Sequence, residues 1–484
     1  MKHFIDLHCH PALKPFGKSF KDNNATNRNS SNEDDENSIW NAERPKVFRK
    51  VLNVLLSLTK FRQSDINTVL KGNGKVIIAS LYPMEKGMVV HDNTKKVKLS
   101  GRILRNLATG ISMERIKHIQ NMPDYFVDLC DEYKFYEQLH DTNVLVNGVP
   151  KKYKLVKKYS DIDFNSPKDT LYVIMSIEGC HVFNTGLRLA GKPTANKNEV
   201  ISNIETVKNW KYKPFFVGIA HHFDNELCGH AESLAGIVKS LIDQNANKNK
   251  GLTPLGKDVI LKLLDNTNGK RIQIDLKHMN IKSRYEYYAF LEANFTETIP
   301  LIVSHGAING RLEPKTHNRV WHKGFNTADI NFYMDEIQKI ERSKGIFGIQ
   351  LDERRILNKR NHKDIYKEAK KTMTKKGKPL LRKQSFFIWR QIEHIAIYLN
   401  VLGRDAWNIQ ALGTDFDGII DPLNGIWTAK EIKDIHSYLV NHAKDFLNSP
   451  KAGKLSTKNK LSAQKIIDKF MFENAKDFME MHFV

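Results

Sequence analysis

Residues 272–280 read IQIDLKHMN, a short apolar run followed at once by a histidine, His278. A run of this length is typical of a β-strand. In parallel α/β folds, the side chains at the carboxyl ends of the strands meet at one edge and carry the function. The fold and the site therefore depend on whether other runs along the chain end in the same way.

Eight such runs occur along the chain, and the stretches between them are long enough for helices. They are FIDL (4–7), VIIASLY (76–82), LYVIMSI (171–177), FFVGIA (215–220), IQIDL (272–276), LIVS (301–304), GIFGIQL (345–351) and IQALGT (409–414). Strands that alternate with helices form parallel βαβ units. Eight of them predict an α/β fold of the TIM-like (β/α)8 barrel type, with insertions.

Six of the eight runs end in a side chain that can bind a metal ion. These side chains are His8 and His10, Glu178, His221 and His222, His278, His305, and Asp415. A single histidine after a strand is more often a hydrogen-bonded loop residue than a ligand. Recurrence at the same end of six strands, however, predicts one shared metal centre on the barrel axis.

The residue types in this set suit hydrolysis assisted by metal ions. Imidazole and carboxylate are zinc ligands, and a carboxylate can bridge two ions. Two ions roughly 3.5–4 Å apart lower the pKa of a shared water and polarise a substrate oxygen. An aspartate beside that water can accept and return a proton. We therefore expect two divalent metal ions, Zn2+ being the first candidate, and a small-molecule substrate.

Length and composition exclude several classes of protein. The 484 residues carry a net charge of +22, and the four cysteines show no CxxC spacing. No run approaches the roughly 20 apolar residues of a membrane span, and the N-terminus lacks the pattern of a signal peptide, which predicts a cytoplasmic protein. The lysines are spread over the whole chain without a nucleic-acid-binding motif, so no nucleic-acid partner is expected. The sequence leaves open whether the protein forms a homo-oligomer.

We interpret residues 1–484 as one metal-dependent hydrolase barrel with two additions. A polar loop at 14–44, rich in Asn and Ser, is predicted to be flexible. A basic insertion at 355–384 follows the seventh run, on the active-site side of a barrel. Its lysines would attract an acidic substrate if they lie over the site; a solvated loop that points away is an equally consistent interpretation.

The motifs HxH, SIEG, HHFDN, GLTPLGKDVI, IDLKH, VSHGA and GTDFDG together resemble those of the membrane dipeptidase (renal dipeptidase) family. This is a family of zinc metallopeptidases, peptidase M19, in the amidohydrolase superfamily. The similarity extends from residue 4 to the C-terminal FMFENAKDF, and GLTPLGKDVI followed by IDLKH is its most specific part. The resemblance implies a barrel with a binuclear zinc centre that hydrolyses the peptide bond of dipeptides with a hydroxide bridging the two ions.

The resemblance also implies a role for each matching residue. His8 and His10 would bind the first zinc, Glu178 would bridge both ions, and His278 and His305 would complete the second site. His222, rather than His221, would contact the substrate, and Asp415 would be the catalytic aspartate.

Two positions depart from the family's pattern. His10 stands where the family has an aspartate, so the centre carries one less negative charge. The family's arginine that holds the substrate carboxylate, after the sixth-run histidine, has Phe325 at its apparent place. Arg311 and Arg319 are both candidates to replace it, and the sequence does not choose between them.

Two alternative functions stay open. DLHCH also resembles the start of the polymerase-and-histidinol-phosphatase group, so the chain is alternatively a binuclear metal hydrolase of a phosphoester or of another amide. The second alternative is a non-catalytic barrel used as a binding module. The sequence fixes neither the substrate nor its stereochemistry.

Overall fold

The computed structural model describes residues 3–20, 28–43, 45–56, 59–91, 95–96, 99–187, 194–234, 242–314, 324–358 and 378–484. Its strands, in chain order, are β1 (Phe4–Cys9), β2 (Gly74–Leu81), β3 (Val90–His91), β4 (Lys95–Lys96), β5 (Val144–Val146), β6 (Val149–Leu155), β7 (Thr170–Ile177), β8 (Phe216–Gly218), β9 (Gln273–Asp275), β10 (Ile302–Gly306), β11 (Ile346–Ile349) and β12 (Gln410–Leu412).

The α-helices are α1 (Leu13–Lys18), α2 (Val47–Leu56), α3 (Ile66–Lys71), α4 (Leu99–Thr109), α5 (Met113–Asn121), α6 (Tyr125–Glu137), α7 (Lys197–Lys208), α8 (Pro254–Leu264), α9 (Ile281–Asn294), α10 (Met334–Arg342), α11 (Glu353–Ile356), α12 (Lys378–Val401), α13 (Ile432–Leu447), α14 (Ala463–Asp468) and α15 (Asn474–His482). None of the helices in these described ranges combines the length and the apolar character needed to cross a bilayer.

Eight parallel strands form the barrel, in the order β1-β2-β7-β8-β9-β10-β11-β12. Each of the eight apolar runs singled out in the sequence overlaps one of these strands. The predicted TIM-like (β/α)8 barrel is therefore confirmed.

The first and last strands close the barrel through a small number of bonds, which we call the β1–β12 seam. The backbone N–H of Asp415 donates to the carbonyl of His8 at 2.9 Å, and that of His10 donates to the carbonyl of Phe416 at 2.8 Å. The buried Asp6 carboxylate accepts the backbone N–H and the hydroxyl of Thr414 at 2.9 and 2.6 Å. The seam thus places His8 beside Asp415, more than 400 residues away in the sequence.

Successive side chains on the barrel strands divide between two apolar clusters, because neighbouring residues of a strand point to opposite faces. One cluster joins alternate residues of seven barrel strands to Phe478 and Met479 of α15; it includes Ile5, Val76, Ile174, Phe216, Ile302, Ile346 and Ala411. The residues next to them, such as Phe4, Ile77 and Val173, belong to the larger cluster formed with the surrounding helices. The C-terminal helix therefore packs against the barrel interior, and the opposite end is left for the polar side chains.

The structure describes only part of each of the two predicted additions to the barrel. The interval at 14–44 begins inside α1, whose Phe16 is buried, so the polar loop starts later than expected, and residues 28–43 form turns. Residues 21–27 and 44 lie outside the described residues. Of the basic insertion at 355–384, residues 359–377 lie outside them as well, and α12 begins at Lys378.

Candidate metal centre

The six side chains predicted to form the centre all lie at the carboxyl ends of barrel strands. His8 lies in β1 and His305 in β10, and Glu178 follows β7 directly. The other three, His10, His278 and Asp415, come one to three residues after the ends of β1, β9 and β12. All six are buried, with exposed fractions of 7% or less. The structure therefore brings together every metal-binding and catalytic candidate that the sequence singled out.

The carboxylate of Glu178 lies in the middle of this group. Its Oε2 is 2.9 Å from Nε2 of His10, and its Oε1 is 3.1 Å from Nε2 of His278. The same Oε1 is 3.4 Å from Nε2 of His305 and 3.6 Å from Nε2 of His8. Both carboxylate oxygens therefore face histidine nitrogens, as in a carboxylate shared between two ions.

Asp415 faces the same nitrogens from the other side. Its oxygens lie 3.7 Å from Nε2 of His10 and 3.8 Å from Nε2 of His8 and of His305. Burial and then the negative charge of Glu178 hold the pKa of the Asp415 carboxyl well above its usual range. In this environment the aspartate holds a proton more readily than an ordinary aspartate does.

Two of these residues have backbone conformations that ordinary residues rarely adopt. His278 has φ +68° and Asp415 has φ +60°, both in the left-handed region. Such conformations are costly outside glycine, and they persist where the surrounding structure enforces them, often at functional sites. Here the left-handed turn follows β9 and β12 and directs each side chain toward Glu178.

A hydroxyl of β10 orients two of the imidazole rings. The Ser304 Oγ lies 3.2 Å from Nδ1 of His8 and 2.9 Å from Nδ1 of His305, and it donates to Asp275 Oδ2 at 2.5 Å. When one ring nitrogen is held in this way, the other nitrogen, Nε2, faces the centre. Neither Ser304 nor Asp275 was expected from the sequence, although both belong to the strands that carry the ligands.

The two adjacent histidines after β8 have different partners. Nε2 of His221 is 3.5 Å from Glu178 Oε2, and its Nδ1 is 2.7 Å from the carboxylate of Glu85. His222 instead bonds through Nδ1 to the Ser233 hydroxyl at 2.6 Å. The ring of His222 stacks near that of His221, with centroids 3.7 Å apart. The sequence singled out His222, and the structure places His221 against the central carboxylate.

The protonation of the histidines suits metal binding, which requires neutral imidazoles. Burial holds the pKa of His278 and of His305 well below the ordinary value, and it lowers that of His8 to about 4. Burial acts in the same direction on His10, but Glu178 and Asp415 outweigh it and raise the pKa of that imidazole to about 9. Three of the four rings are thus neutral at pH 7 without any ion.

The unmet hydrogen-bonding capacity of the site also fits a metal. Nε2 of His305 is fully buried and has no hydrogen-bond partner among the described residues. Buried polar atoms are nearly always satisfied, by protein, water or a ligand. Four groups of three side chains in the described ranges bring ligand atoms within 4.8 Å of one another, and every group contains at least one of the candidates. The residues present therefore fit divalent ions held by imidazole and carboxylate.

Beside the centre lies a narrow cavity whose wall includes three residues that sequence reasoning missed: Lys277, Gln350 and Arg355. The amide of Gln350 donates to Asp415 Oδ2 at 2.6 Å, and Lys277 Nζ donates to Gln350 Oε1 at 3.0 Å. A signal for two of them was present, because Lys277 precedes His278 and Gln350 directly follows β11. Strand β11, the seventh of the barrel, supplies no predicted ligand, but the residue that follows it, Gln350, orients Asp415.

Phe325, at the apparent place of the family's arginine, is buried and packs under the guanidinium of Arg390, 5.0 Å from the ring centroid. Of the two candidate replacements, Arg319 lies outside the described residues. Arg311 is not among the described residues that line the cavity beside the metal centre.

Proteins of known structure share this fold at low sequence identity. Dipeptidase AC, a metallopeptidase of family M19, is 11% identical, with 90% of this chain and 95% of that chain covered and a TM-score of 0.50. The probable dipeptidase PvdM from Pseudomonas aeruginosa is 12% identical, with 87% and 88% covered and a TM-score of 0.48. A metallopeptidase from Rhodobacter sphaeroides, liganded with a phosphinate mimic of the dipeptide L-Ala-D-Ala, is 11% identical, with 96% and 99% covered and a TM-score of 0.46.

The likeness to dipeptidase AC agrees with the barrel fold. Dipeptidase AC itself is of family M19, the family that the sequence motifs resemble. No family model matches the chain, and no curated protein sequence matches it.

Proposed function

We propose that this protein is a metal-dependent dipeptidase with a binuclear centre, Zn2+ being the expected ion. The observation that carries the proposal is the position of Glu178, whose two oxygens lie 2.9–3.6 Å from the Nε2 atoms of five histidines. A carboxylate shared among imidazoles in a buried site is the arrangement that a pair of ions requires. Dipeptidase AC has the same fold, which supports peptide hydrolysis as the reaction.

In this proposal the ligands divide as the sequence resemblance implies. His8 and His10 would hold one ion, His278 and His305 would hold the other, and Glu178 would serve both. Ions bound there would acidify a water molecule and polarise the scissile carbonyl. His221, whose Nε2 lies 3.5 Å from Glu178, is a further imidazole at the edge of the centre.

Asp415 is the group proposed to move the proton. It accepts the proton of the attacking water and delivers it to the leaving amine, a transfer for which its raised pKa is suited. Gln350 holds Oδ2 through its amide, so the orientation of the carboxyl is fixed before a substrate arrives. His222, with Nδ1 held by Ser233, offers Nε2 to the oxygen of the scissile carbonyl.

The experiment that tests this function measures free amino acids released from L,L-, L,D- and acidic dipeptides. Zinc-loaded protein is compared with protein stripped by a chelator and with stripped protein to which zinc is returned. We expect release only from the two zinc-containing samples. A phosphoester, p-nitrophenyl phosphate, is included because a phosphoesterase is the principal alternative.

Release of phosphate without release of amino acids would replace the proposal by the phosphoesterase. Zinc bound without turnover of either substrate class would also contradict it, and a chain that binds no metal would point to a non-catalytic barrel.

A further inference from the structure

Two adjacent arginines follow β11, and their side chains have different partners. Arg354 is held on both sides: its Nε and Nη2 donate to the Asp352 carboxylate at 2.9 and 2.7 Å, and Nη2 also donates to the carbonyl of Ile419 at 3.0 Å. Arg355 donates through Nη2 to the carbonyl of Ser233. Its Nε is buried and has no hydrogen-bond partner in the part of the chain that the structure describes. Arg354 therefore has a structural role, whereas the Nε–H group of Arg355 is without a partner among the described residues.

Arg355 stands in the wall between two cavities. One is the narrow cavity beside the metal centre, which Arg355 lines together with Glu178, His222 and Asp415. The other is an outer cavity of about 990 Å3 that opens toward solvent and includes Arg355 and Lys282 in its lining. The guanidinium of Arg355 therefore belongs to the wall that the two cavities share.

The backbone holds Arg355 firmly at that place. Its N–H donates to the carbonyl of Asp352 at 3.0 Å, and its carbonyl accepts from the amide of Asn331 at 2.8 Å. The residue is 7% exposed, so its side chain has few alternatives to the wall of the cavity. A guanidinium positioned in advance loses little conformational freedom when it binds a ligand.

The charges around Arg355 favour an anion as that ligand. The carboxylates that act on Arg355 are already engaged: Asp352 pairs with Arg354, Asp415 accepts from Gln350, and Glu232 pairs with Lys248 at 3.8 Å. A second basic side chain, Lys277, lines the same narrow cavity. A buried guanidinium with a free donor is costly unless a partner arrives, and a planar carboxylate matches its fork of N–H groups.

We propose that Arg355 binds the carboxylate of the substrate at the entrance to the metal centre and so selects dipeptides with a free C-terminus. This inference rests on the proposed function, since it names the group of the dipeptide that the enzyme recognises. The arginine comes from the segment after β11, not from the segment after β10 in which Arg311 and Arg319 lie. Arg355 is a binding residue for the substrate and takes no part in the proton transfer.

The test compares alanyl-alanine with alanyl-alaninamide, which differ only in the terminal carboxylate. For the zinc-loaded wild type we expect kcat/KM to be about 10- to 100-fold higher for the acid, the range that one charged hydrogen-bonded contact supports. Arg355→Met should raise the KM for the acid by a similar factor, leave kcat within about threefold, and leave the amide unaffected. Arg355→Lys should recover only part of the loss, because a lysine keeps the charge but not the planar fork.

The matched control is Lys282→Met, which removes one positive charge from an exposed side chain on the outer cavity. It should leave the preference for the acid intact. Equal kcat/KM of the wild type for acid and amide overturns the inference without any variant, as does an unchanged preference in Arg355→Met. Both results leave dipeptide hydrolysis established, whereas absence of turnover of either peptide contradicts the proposed function itself.

Discussion

Asp415 has two features that suit its proposed role as proton carrier. Its carboxyl lies 3.7–3.8 Å from three histidine nitrogens, farther than Glu178 lies from His10 or His278, and Gln350 holds one of its oxygens. The geometry and the raised pKa both suit a group that exchanges a proton while the ions stay on the other side chains.

Asp415→Asn should therefore lower turnover by about 100-fold or more while the metal content stays at the wild-type value. Initial rates of amino-acid release and the zinc content of the purified protein check this. Loss of zinc in the variant would show that Asp415 is a ligand. Asp417→Asn is unsuitable as the control, because Asp417 forms a buried ion pair with Lys14 at 2.7 Å. The control is Asp445→Asn, the same change at an exposed aspartate.

His10 determines the charge of the first metal position. An aspartate at this position would add one negative charge next to the ion. It would also remove the imidazole, whose pKa of about 9 means that it holds a proton at neutral pH and must lose it before it binds an ion. We expect His10→Asp to bind zinc about 10-fold more tightly, which corresponds to about 1.4 kcal/mol. Competition with a chromogenic chelator measures this affinity.

The control for this variant is His3→Asp, the same change just before β1 and outside the centre. Equal zinc affinity of His10→Asp and the wild type would mean that the imidazole is as good a ligand at this position as the carboxylate.

The residues that the sequence could not supply are those whose role depends on a neighbour in space. Glu178 and the histidines are visible because a strand end precedes each of them. The bonds of Ser304 to two rings, and of Gln350 to Asp415, connect different strands, and no local pattern reveals them. His221 and His222 are adjacent after the same strand, and only the barrel geometry shows which ring faces Glu178.

Among the elements, the barrel strands were predictable, but the antiparallel pairs β3–β4 and β5–β6 were missed. The runs of the barrel are nearly continuous in apolar residues because both faces of each strand are buried. Strands β5 and β6 form an antiparallel hairpin, and β6 also pairs with β7. The turn Asn147-Gly148, with φ of +51° and +76°, is a strong hairpin signal, but the polar VPKKYKL of β6 hides it from a search for apolar runs.

Helix α3 begins with a buried acid, Asp65, which should make its contribution to stability depend on pH. Its side chain accepts the N–H of Thr68 at 2.8 Å, and burial, only partly offset by Thr68, raises the pKa of the carboxyl to about 7. The unfolded chain releases this proton near pH 4. Between about pH 4 and pH 7 the folded state therefore holds one more proton, and its stability falls as the pH rises through that range.

Asp65→Asn keeps an N-cap side chain but cannot ionise. Relative to the wild type, we expect this variant to gain about 1–3 kcal/mol of unfolding free energy between pH 4 and pH 8. Urea unfolding of both proteins at the two pH values measures the difference. Asp124→Asn, the same change at the N-cap of α6, corrects for the replacement of the cap itself. A constant difference between Asp65→Asn and the wild type at both pH values would refute the expectation.

For the whole molecule, the proposed metal centre concentrates buried histidines and carboxylates that would bind the ions. An ion that binds the folded state alone stabilises it by about 4 kcal/mol at a thousand times its dissociation constant. Removal of zinc should therefore lower the thermal midpoint by several degrees at pH 7.5. The effect should shrink toward pH 5, because protons compete for the imidazoles.

Differential scanning calorimetry of the zinc-loaded and the stripped protein at both pH values checks this expectation. Identical midpoints at pH 7.5 would contradict it and would indicate that the centre is satisfied without ions.

At this scale the sequence predicts the barrel and the end of it that carries the site, since strand ends and ligands coincide. It does not predict how the barrel closes. The β1–β12 seam depends on the contact between Asp6 and Thr414, and no local sequence pattern predicts that these two residues meet.

The β1–β12 seam also has a consequence for biosynthesis. His8 is synthesised more than 400 residues before the aspartate that lies beside it in the folded barrel. Contacts so distant in the sequence are slow to form, and most of the chain is synthesised before they exist. The β1–β12 seam can therefore form only after β12 is synthesised, and the proposed metal centre is complete only from that point.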